Sequence, residues 1–193
     1  GPPTSFEAMQ ANAELRRYLD GWGRAGDTGV VAVDDASGEY LGAAWYRTFP
    51  ADEPGYGFLD EATPEIAIAC IPEARGRGLG HQLIESLLVR AHADGLGHLC
   101  LSVRITNAPA VRVYEACGFI GVQLEDDGLH LTMAAPTHPA GDDSQPVTVQ
   151  RFAPGDLDLG SLPTSEWGSV IATKGELVDL AEASAVIEAG ERK

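Results

Sequence analysis

The sequence predicts an α/β (α+β) fold in which helices flank a mixed β-sheet. Short apolar and β-branched runs alternate with longer segments that carry apolar residues at helical spacing, and turn signals separate them. With 193 residues, 44% of them hydrophobic, the chain can bury a sizeable core. We expect one domain over residues 1–135, a Pro-, Gly- and Ser-containing linker over 136–146 and a C-terminal extension over 147–193.

The elements of the first domain follow from these patterns. We expect strands over residues 28–33, 39–49, 65–71, 98–103, 119–124 and 129–134. We expect helices over residues 5–19 and 79–93, and a further helix that Asn107 caps and Gly118 ends. Because a helix separates the strand over 65–71 from the strand over 98–103, these two should be parallel neighbours.

The charge balance excludes some partners. The chain has 29 acidic and 13 basic residues, a formal net charge of −16, which repels the phosphate backbone of nucleic acids. The longest apolar runs, such as residues 66–71, are far shorter than the ~20 residues that span a bilayer, and no signal-peptide pattern is present. We therefore expect a cytoplasmic protein without a nucleic-acid or membrane partner.

Cysteine and histidine spacing gives no metal motif. Cys70, Cys100 and Cys117 include no CxxC pair and are flanked by apolar residues, which is typical of reduced core thiols. The five histidines include no HExxH pair, so we expect no metal ion. Sequence signatures of common hydrolases, NTPases and dinucleotide-binding proteins are absent as well.

The most informative segment is the Gly-rich loop, residues 75–80 (RGRGLG), between a predicted strand and helix. Its glycines allow backbone N–H groups to turn toward an anion, the helix N-terminus adds partial positive charge, and two arginines supply cations. The residues alone predict a phosphate-binding loop, and a flexible solvated turn is the alternative.

The order of motifs around this loop is more specific. The strand over 65–71 followed by Arg75, Gly78 and Gly80 resembles motif A of the GNAT N-acetyltransferase superfamily, and residues 107–119 (NAPAVRVYEACGF) resemble its motif B. The resemblance covers residues 5–135. It implies a splayed sheet, acetyl-CoA as cosubstrate, and acetyl transfer to the primary amine of a small molecule or peptide by direct attack in a ternary complex.

The resemblance also implies site residues. Backbone groups of Cys70 and Ile71 would pair with the pantetheine arm, and Asn107 would hydrogen-bond the coenzyme arm or an ordered water. Tyr114 would lie near the sulfur and protonate the leaving thiolate. The pyrophosphate would be held by the amides of Arg75, Gly76, Arg77, Gly78, Leu79, Gly80 and His81.

The chemistry adds a requirement for a base. An alkylamine of pKa ~10.4 is protonated at neutral pH, so attack on a thioester requires proton removal. Glu65, at the start of the motif A strand, is our candidate catalytic base, and a water chain is the alternative. A phenol such as Tyr114 can protonate a thiolate at modest cost. The oxyanion would be stabilised by a backbone N–H near Cys70.

The acceptor amine would enter near aromatic and acidic residues that precede motif A. Aromatic rings and carboxylates suit a cationic amine, although a solvated acidic surface would account for the carboxylates as well. The residues are Trp45, Tyr46, Asp52, Glu53, Tyr56, Phe58, Asp60 and Glu61.

The family pattern opens with a strand and a helix before the helix that we expect over residues 5–19, and we expect these two elements to be lost or replaced here. Residues 147–152, followed by Pro154, Asp156 and Leu157, resemble such an opening strand and could fill the vacant edge in the same subunit or in a homodimer partner. An independent appendage, including a helix over residues 175–189, is the alternative. These departures leave a second hypothesis, a catalytically inactive GNAT-like module that binds acyl-CoA or regulates a partner.

Overall fold

The computed structural model describes residues 16–141, 149–152, 171–172 and 176–177. The strands of the main sheet are β1 Thr28–Val33, β2 Tyr40–Arg47, β3 Glu65–Cys70, β4 His98–Arg104, β5 Ile120–Leu124, β6 His130–Pro136 and β7 Val149–Phe152. The helices are α1 Leu79–Ala93 and α2 Ala108–Ala116, and a 3₁₀ turn covers Pro72–Ala74. The prediction of a mixed sheet with flanking helices is confirmed.

The spatial order of the sheet is β5-β6-β4-β3-β2-β1-β7. Strands β1, β2 and β3 form an antiparallel meander, and β6 pairs antiparallel with both β4 and β5. The predicted parallel neighbours, β3 and β4, pair at one position, Glu65 with Cys100. Beyond that pair the two strands separate, and we call the opening between residues 66–70 and 101–104 the β3–β4 gap.

The two faces of the sheet bury different groups, because successive side chains of a strand alternate between faces. Ile66 and Ile68 of β3 belong to the larger core, with the apolar side of α1 and Tyr114 of α2. Ala67 and Ala69 belong to a smaller, aromatic-rich cluster on the other face. That cluster also contains Tyr18, Val31, Ala43, Trp45 and Phe49.

The C-terminal extension contributes to the sheet edge. Residues 149–152 pair antiparallel with β1 of the same chain, Gly29 opposite Phe152 and Ala32 opposite Val149. A separate two-stranded ladder joins β8, Ile171–Ala172, to β9, Glu176–Leu177. The division of the chain at residues 135 and 147 stays a prediction.

Some predicted helical residues are described and others are not. Arg16 is helical and residues 17–20 form turns, whereas residues 5–15 of the predicted first helix lie outside the described part of the chain. The helix predicted over 175–189 is wrong at residues 176–177, where cross-strand pairing with β8 fixes an extended backbone, and the rest of it lies outside the described residues. Among the described residues, none of the helices has the length and apolar character needed to span a membrane.

Candidate functional site

The Gly-rich loop leads directly into the first turn of α1. Gly76 and Gly78 have positive φ angles of 69° and 80°, a conformation that glycine adopts without the strain of a side chain. A Cβ added at either glycine would meet no protein atom within 4 Å. The N-cap residue, Gly78, gives the first turn no side-chain hydrogen bond. The loop is therefore an open helix N-terminus of the kind that binds phosphate groups.

The two arginines flank this loop differently. Arg75 is half-buried at its start, and Arg77 is exposed between the two glycines. Leu79 is buried in the core and anchors the first turn of α1, while Gly80 and His81 are half-buried. The structure thus brings the predicted pyrophosphate-binding residues together at one end of α1, and pyrophosphate binding by them remains a prediction.

The backbone of β3 faces its two neighbours alternately. The Ile71 N–H donates to the Leu41 carbonyl at 2.9 Å, and paired residues of an antiparallel ladder alternate between hydrogen-bonded and non-hydrogen-bonded positions. Backbone groups of Cys70 and Ile68 therefore point away from β2, toward the β3–β4 gap. The Cys100 N–H donates to the Pro64 carbonyl at 2.9 Å. Pro64, like Ile68 and Cys70 an even-numbered residue, therefore also directs its backbone toward β4.

This alternation corrects one predicted contact and adds another. The amide of Ile71 serves the sheet, so it does not offer its N–H to a ligand in the gap, contrary to our expectation. Backbone groups of Cys70 face the gap, where their pairing with a coenzyme stays a prediction, and those of Ile68, which sequence reasoning missed, face it too. The period-2 rule applied backward from Cys70 would have found Ile68.

Glu65 lies at the closed end of the β3–β4 gap and is 1% exposed. Its Oε1 accepts hydrogen bonds from the Tyr18 hydroxyl at 2.7 Å and from the Gly57 N–H at 2.8 Å. Burial raises the pKa of Glu65 to about 7, even though these two hydrogen bonds favour the carboxylate. A carboxyl with that pKa can take up and release a proton near neutral pH.

The loop that covers Glu65 depends on two glycines. A Cβ at Gly55 would lie 2.0 Å from Glu65 Oε2, and a Cβ at Gly57 would lie 2.5 Å from the Leu101 carbonyl carbon. Both distances are shorter than real side chains allow. The loop therefore packs on Glu65 and on β4, just past the last paired position of β3 and β4.

Glu65 Oε2 and Ser102 Oγ are among the buried polar atoms that have no hydrogen-bond partner within the described residues. Ser102 is fully buried and lies two residues beyond Cys100 on β4, on the same face of the sheet as Glu65. Leaving such groups unpaired in a core costs about 1–3 kcal/mol each. Sequence reasoning missed Ser102, although a lone hydroxyl in the apolar run HLCLSVR is a readable signal.

Aromatic side chains pack around Tyr18, the hydrogen-bond donor to the Glu65 carboxyl. The Tyr18 ring lies 5.1 Å from Phe49 and 6.3 Å from Tyr56, centroid to centroid. Trp45 lies in the same cluster and donates its indole N–H to the Tyr18 carbonyl at 3.1 Å. Of the predicted acceptor-side aromatics, Trp45, Tyr56 and Phe58 are in this cluster.

The other predicted acceptor residues have different surroundings. Tyr46 belongs to the larger core and donates to Asp94 at 2.9 Å, because neighbouring strand residues face opposite ways. Asp60 accepts hydrogen bonds from Ala62 and Thr63 in its own turn, and Glu61 accepts one from the Ala51 N–H at 2.8 Å. These two carboxylates shape their loop.

A buried ion pair holds the segment that carries Tyr18. Arg47 donates from Nε to Asp27 Oδ1 at 3.1 Å and from Nη2 to Oδ2 at 2.5 Å. Its Nη1 also donates to the carbonyls of Arg17 at 2.7 Å and Asp20 at 3.0 Å. Arg47 is thus a positioning residue that fixes residues 17–20 over the sheet. Sequence reasoning missed it, since no local pattern links positions 27 and 47.

The motif B residues lie on the opposite side of the sheet from Glu65. Tyr114 is fully buried on α2, with its ring centroid 6.0 Å from that of Phe119. Asn107 caps α2, since its side chain accepts the Ala110 N–H at 3.3 Å. Glu65 and Tyr114 thus lie on opposite faces of the sheet that contains the β3–β4 gap. The predicted roles of Asn107 and Tyr114 toward a coenzyme stay predictions.

The thiols near the gap are not activated. Burial raises the pKa of Cys70 to about 12 and raises that of Cys100 further above its ordinary value. Both therefore remain protonated at neutral pH and are poor nucleophiles. This agrees with direct transfer and disfavours a relay through an acyl-cysteine.

Comparison with known proteins identifies the family. The model of the Acetyltransferase (GNAT) family matches residues 3–119, more than half of the chain, and the chain belongs to that family. A solved GNAT-family protein from Bordetella pertussis superposes with a TM-score of 0.51 at 27% identity, covering 63% of this chain and 72% of that one.

Curated relatives match part of the chain. The L-methionine sulfoximine/L-methionine sulfone acetyltransferase of Pseudomonas paraeruginosa is 34% identical over 107 residues, which are 55% of this chain and 59% of the relative. The [ribosomal protein bS18]-alanine N-acetyltransferase of Salmonella typhimurium is 44% identical over 61 residues, 32% of this chain and 40% of the relative. The chain thus spans less than two thirds of the length of either relative.

Proposed function

We propose that this protein is an acetyl-CoA-dependent N-acetyltransferase that acts on a primary amine in a ternary complex. The observation that carries the proposal is the buried Glu65 at the closed end of the β3–β4 gap, with a pKa of about 7. An amine must lose a proton before it attacks an acyl group, and Glu65 is a base that lies in an apolar, aromatic setting suited to this task.

The residues present fit acetyl-CoA. The open N-terminus of α1, with Gly76 and Gly78 at positive φ, suits a pyrophosphate. The backbone groups of Cys70 and Ile68 that face the gap suit the amides of a pantetheine arm, which would add to β3 as an extra strand. When bound, acetyl-CoA supplies the activated acetyl group as a thioester.

Two proton transfers take place on opposite faces of the sheet: removal of a proton from the amine and delivery of a proton to the leaving sulfur. Glu65 accepts the proton of the amine through Oε2, the oxygen that has no partner among the described residues. Ser102 Oγ, buried on the same face, orients the amine by a hydrogen bond. On the other face Tyr114 gives its phenolic proton to the departing sulfur, and a backbone N–H that faces the gap, such as that of Cys70, stabilises the oxyanion.

The acceptor class that we propose is the primary amine of an amino acid or peptide. The aromatic cluster of Tyr18, Trp45 and Tyr56 would contact the carbon chain next to the amine. The names of the two relatives, which act on a methionine derivative and on a protein alanine, support this class. We place the activity in the cytoplasm, where the free thiols of Cys70, Cys100 and Cys117 stay reduced.

One observation favours a second candidate, an inactive GNAT-like module that binds acyl-CoA or regulates a partner. The β8–β9 ladder of the extension lies next to β3, and β9 also approaches β4, the two strands that border the gap. A segment at that place could restrict access to the gap. The edge of β1, which a homodimer partner was one way to fill, is covered by β7 of the same chain. A homodimer therefore remains a prediction.

The test follows release of free thiol from acetyl-CoA with a panel of amines. The panel contains small alkylamines, amino acids including L-methionine sulfone, and peptides with an N-terminal alanine. Amine-dependent thiol release together with acetylated product supports the proposed enzyme. Calorimetric binding of acetyl-CoA without release for any amine supports the inactive module, and no binding of acetyl-CoA contradicts both.

A further inference from the structure

A cluster of metal-ligating side chains lies outside the proposed acetyl-transfer chemistry. His81 and Glu85 are one helical turn apart on the same side of α1, and Cys117 follows directly after α2. The imidazole nitrogen, carboxylate oxygen and thiol sulfur of these residues all lie within 4.8 Å of one another. Cys117 is 5% exposed, and His81 and Glu85 are half-buried, so the cluster is shielded but reachable from solvent.

A fourth donor approaches the cluster from the segment after β6. His138 Nε2 lies 3.2 Å from Glu85 Oε2. The other ring nitrogen, Nδ1, lies 3.0 Å from the Pro139 carbonyl, which can only accept, so Nδ1 carries the ring proton there. In the neutral ring, Nε2 then presents a lone pair to the Glu85 carboxylate. Two lone pairs at this distance require either a proton or a metal cation between them.

We propose that His81, Glu85, Cys117 and His138 form a binding site for a divalent transition-metal cation of the Zn²⁺ type. One thiolate, two imidazoles and one carboxylate are the donors that Zn²⁺ prefers, and four donors match its tetrahedral coordination. At metal–ligand distances of 2.0–2.3 Å, ligand atoms of a tetrahedron lie about 3.6 Å apart. For His81, Glu85 and Cys117, small side-chain rotations from the present 4.8 Å limit reach that geometry. His138 approaches it through its 3.2 Å contact with Glu85.

The metal-free structure already orients these ligands. The Cys117 thiol contacts the His81 carbonyl, with the sulfur 3.8 Å from the oxygen, and the Glu85 carboxyl lies within 4.8 Å of the same sulfur. Metal binding replaces the thiol proton, which passes to solvent, by a metal–sulfur bond. The hydrogen bond from His138 to the Pro139 carbonyl is the outer contact that usually fixes the tautomer of a metal-binding histidine.

The site would tie together three separate parts of the fold: the start of α1, the end of α2 and the segment after β6. No metal ion was predicted from the sequence, because the chain has no closely spaced Cys or His motif. Here the ligands come from distant positions, and only Glu85, four residues after His81, is local to a second ligand. The protein's net charge of −16 favours cation binding in general but does not select this site.

The test uses the 193-residue chain, free of any affinity tag, after treatment with a chelator. Titration with Co²⁺ should produce a near-ultraviolet sulfur-to-cobalt charge-transfer band that saturates at one equivalent, and Zn²⁺ should displace it. Cys117→Ser should abolish the band, and the matched control Cys100→Ser, at a buried thiol remote from these histidines, should retain it. His138→Gln should keep the band and lower Zn²⁺ affinity at least about tenfold by calorimetry.

A replacement variant and melting temperatures test the same site independently of the charge-transfer band. If Cys117→Ser does not fold, as judged by circular dichroism, the half-buried His81→Gln replaces it and should lower Zn²⁺ affinity by at least about tenfold. Zn²⁺ should also raise the melting temperature of the wild type by more than that of His81→Gln at the same Zn²⁺ concentration. The absence of a charge-transfer band in the wild type overturns the proposal, and so does equal Zn²⁺ affinity in wild type, Cys117→Ser and His138→Gln.

Discussion

Arg47 lies directly opposite Glu65 in the β2–β3 ladder. Its guanidinium nevertheless binds Asp27, the residue just before β1, rather than Glu65. A guanidinium bound to the Glu65 carboxyl would lower its pKa and hold it as a carboxylate. Because Arg47 is already paired, burial dominates and the pKa of Glu65 rises to about 7. The buried ion pair thus positions the Tyr18 segment and leaves Glu65 able to exchange a proton.

The first prediction concerns Tyr18→Phe. The Tyr18 hydroxyl donates to Glu65 and so favours the carboxylate, which means that its loss should raise the pKa of Glu65 further. The acidic limb of the pH profile of kcat/KM should move to higher pH, with about 1–2 kcal/mol of stability lost. The control is Tyr46→Phe, whose hydroxyl contacts Asp94 on the other face. A limb that does not move would remove Tyr18 from the proton-transfer site.

The second prediction concerns stability and pH. Glu65 has a pKa of about 7 in the folded protein against an ordinary value of 4.5, so the folded state holds this proton to higher pH. Stability should therefore fall as pH rises from about 4.5 to about 7. Glu65→Gln should lack this component, so the difference in free energy of unfolding between variant and wild type should change by up to about 3 kcal/mol. Urea denaturation at several pH values measures it, and parallel curves would contradict the assigned pKa.

The third prediction concerns Tyr114→Phe. The substitution keeps the ring that packs beside Phe119 and removes only the hydroxyl, so folding and coenzyme affinity should be retained. If Tyr114 supplies a proton to the leaving sulfur, kcat should fall by about 100-fold or more. Steady-state kinetics and calorimetry with CoA measure the two effects, with Tyr46→Phe as the buried-tyrosine control. Full turnover in Tyr114→Phe would show that another group supplies the proton.

The fourth prediction compares two glycines of nearly equal geometry. Gly78 and Gly95 have φ angles of 80° and 79°, and a Cβ at either would meet no protein atom within 4 Å. Alanine at each position should therefore cost a similar ~1–2 kcal/mol of backbone strain. Only Gly78→Ala should weaken CoA binding, by about tenfold or more, because Gly78 lies at the N-terminal end of α1, where we propose that the pyrophosphate binds, and Gly95 does not. Equal calorimetric affinities in the two variants would refute the assigned pyrophosphate site.

Local patterns predicted the elements of the sheet well. Strand β1 and helix α1 have the predicted bounds, because β-branched runs, helical spacing of leucines and the Gly-rich loop are local signals. The predicted closing hairpin is also present in β5 and β6. The error at residues 176–177 arose because helical spacing was read where cross-strand pairing determines the structure.

The candidate site was only partly predictable, because much of it depends on the third dimension. Motif order pointed to Glu65, but its burial, its bond to Tyr18 and its raised pKa follow from packing across 47 positions of sequence. The Arg47–Asp27 pair has no sequence signature at all. The backbone of Ile71 bonds to β2, whereas that of Cys70 faces the β3–β4 gap. Which residues of β3 face which side can be assigned only when the partner strand is known.

The most direct test of the account compares Glu65→Gln with the wild type in acetyl transfer as a function of pH. Glu61→Gln is the control, since Glu61 is exposed and accepts the Ala51 N–H in its own loop. The account predicts that kcat/KM of the wild type and of Glu61→Gln falls below about pH 7, and that Glu65→Gln loses this limb together with about 10²- to 10⁴-fold of the rate at pH 8. A Glu65→Gln variant with the wild-type rate and the wild-type limb would contradict it and would indicate proton removal through water.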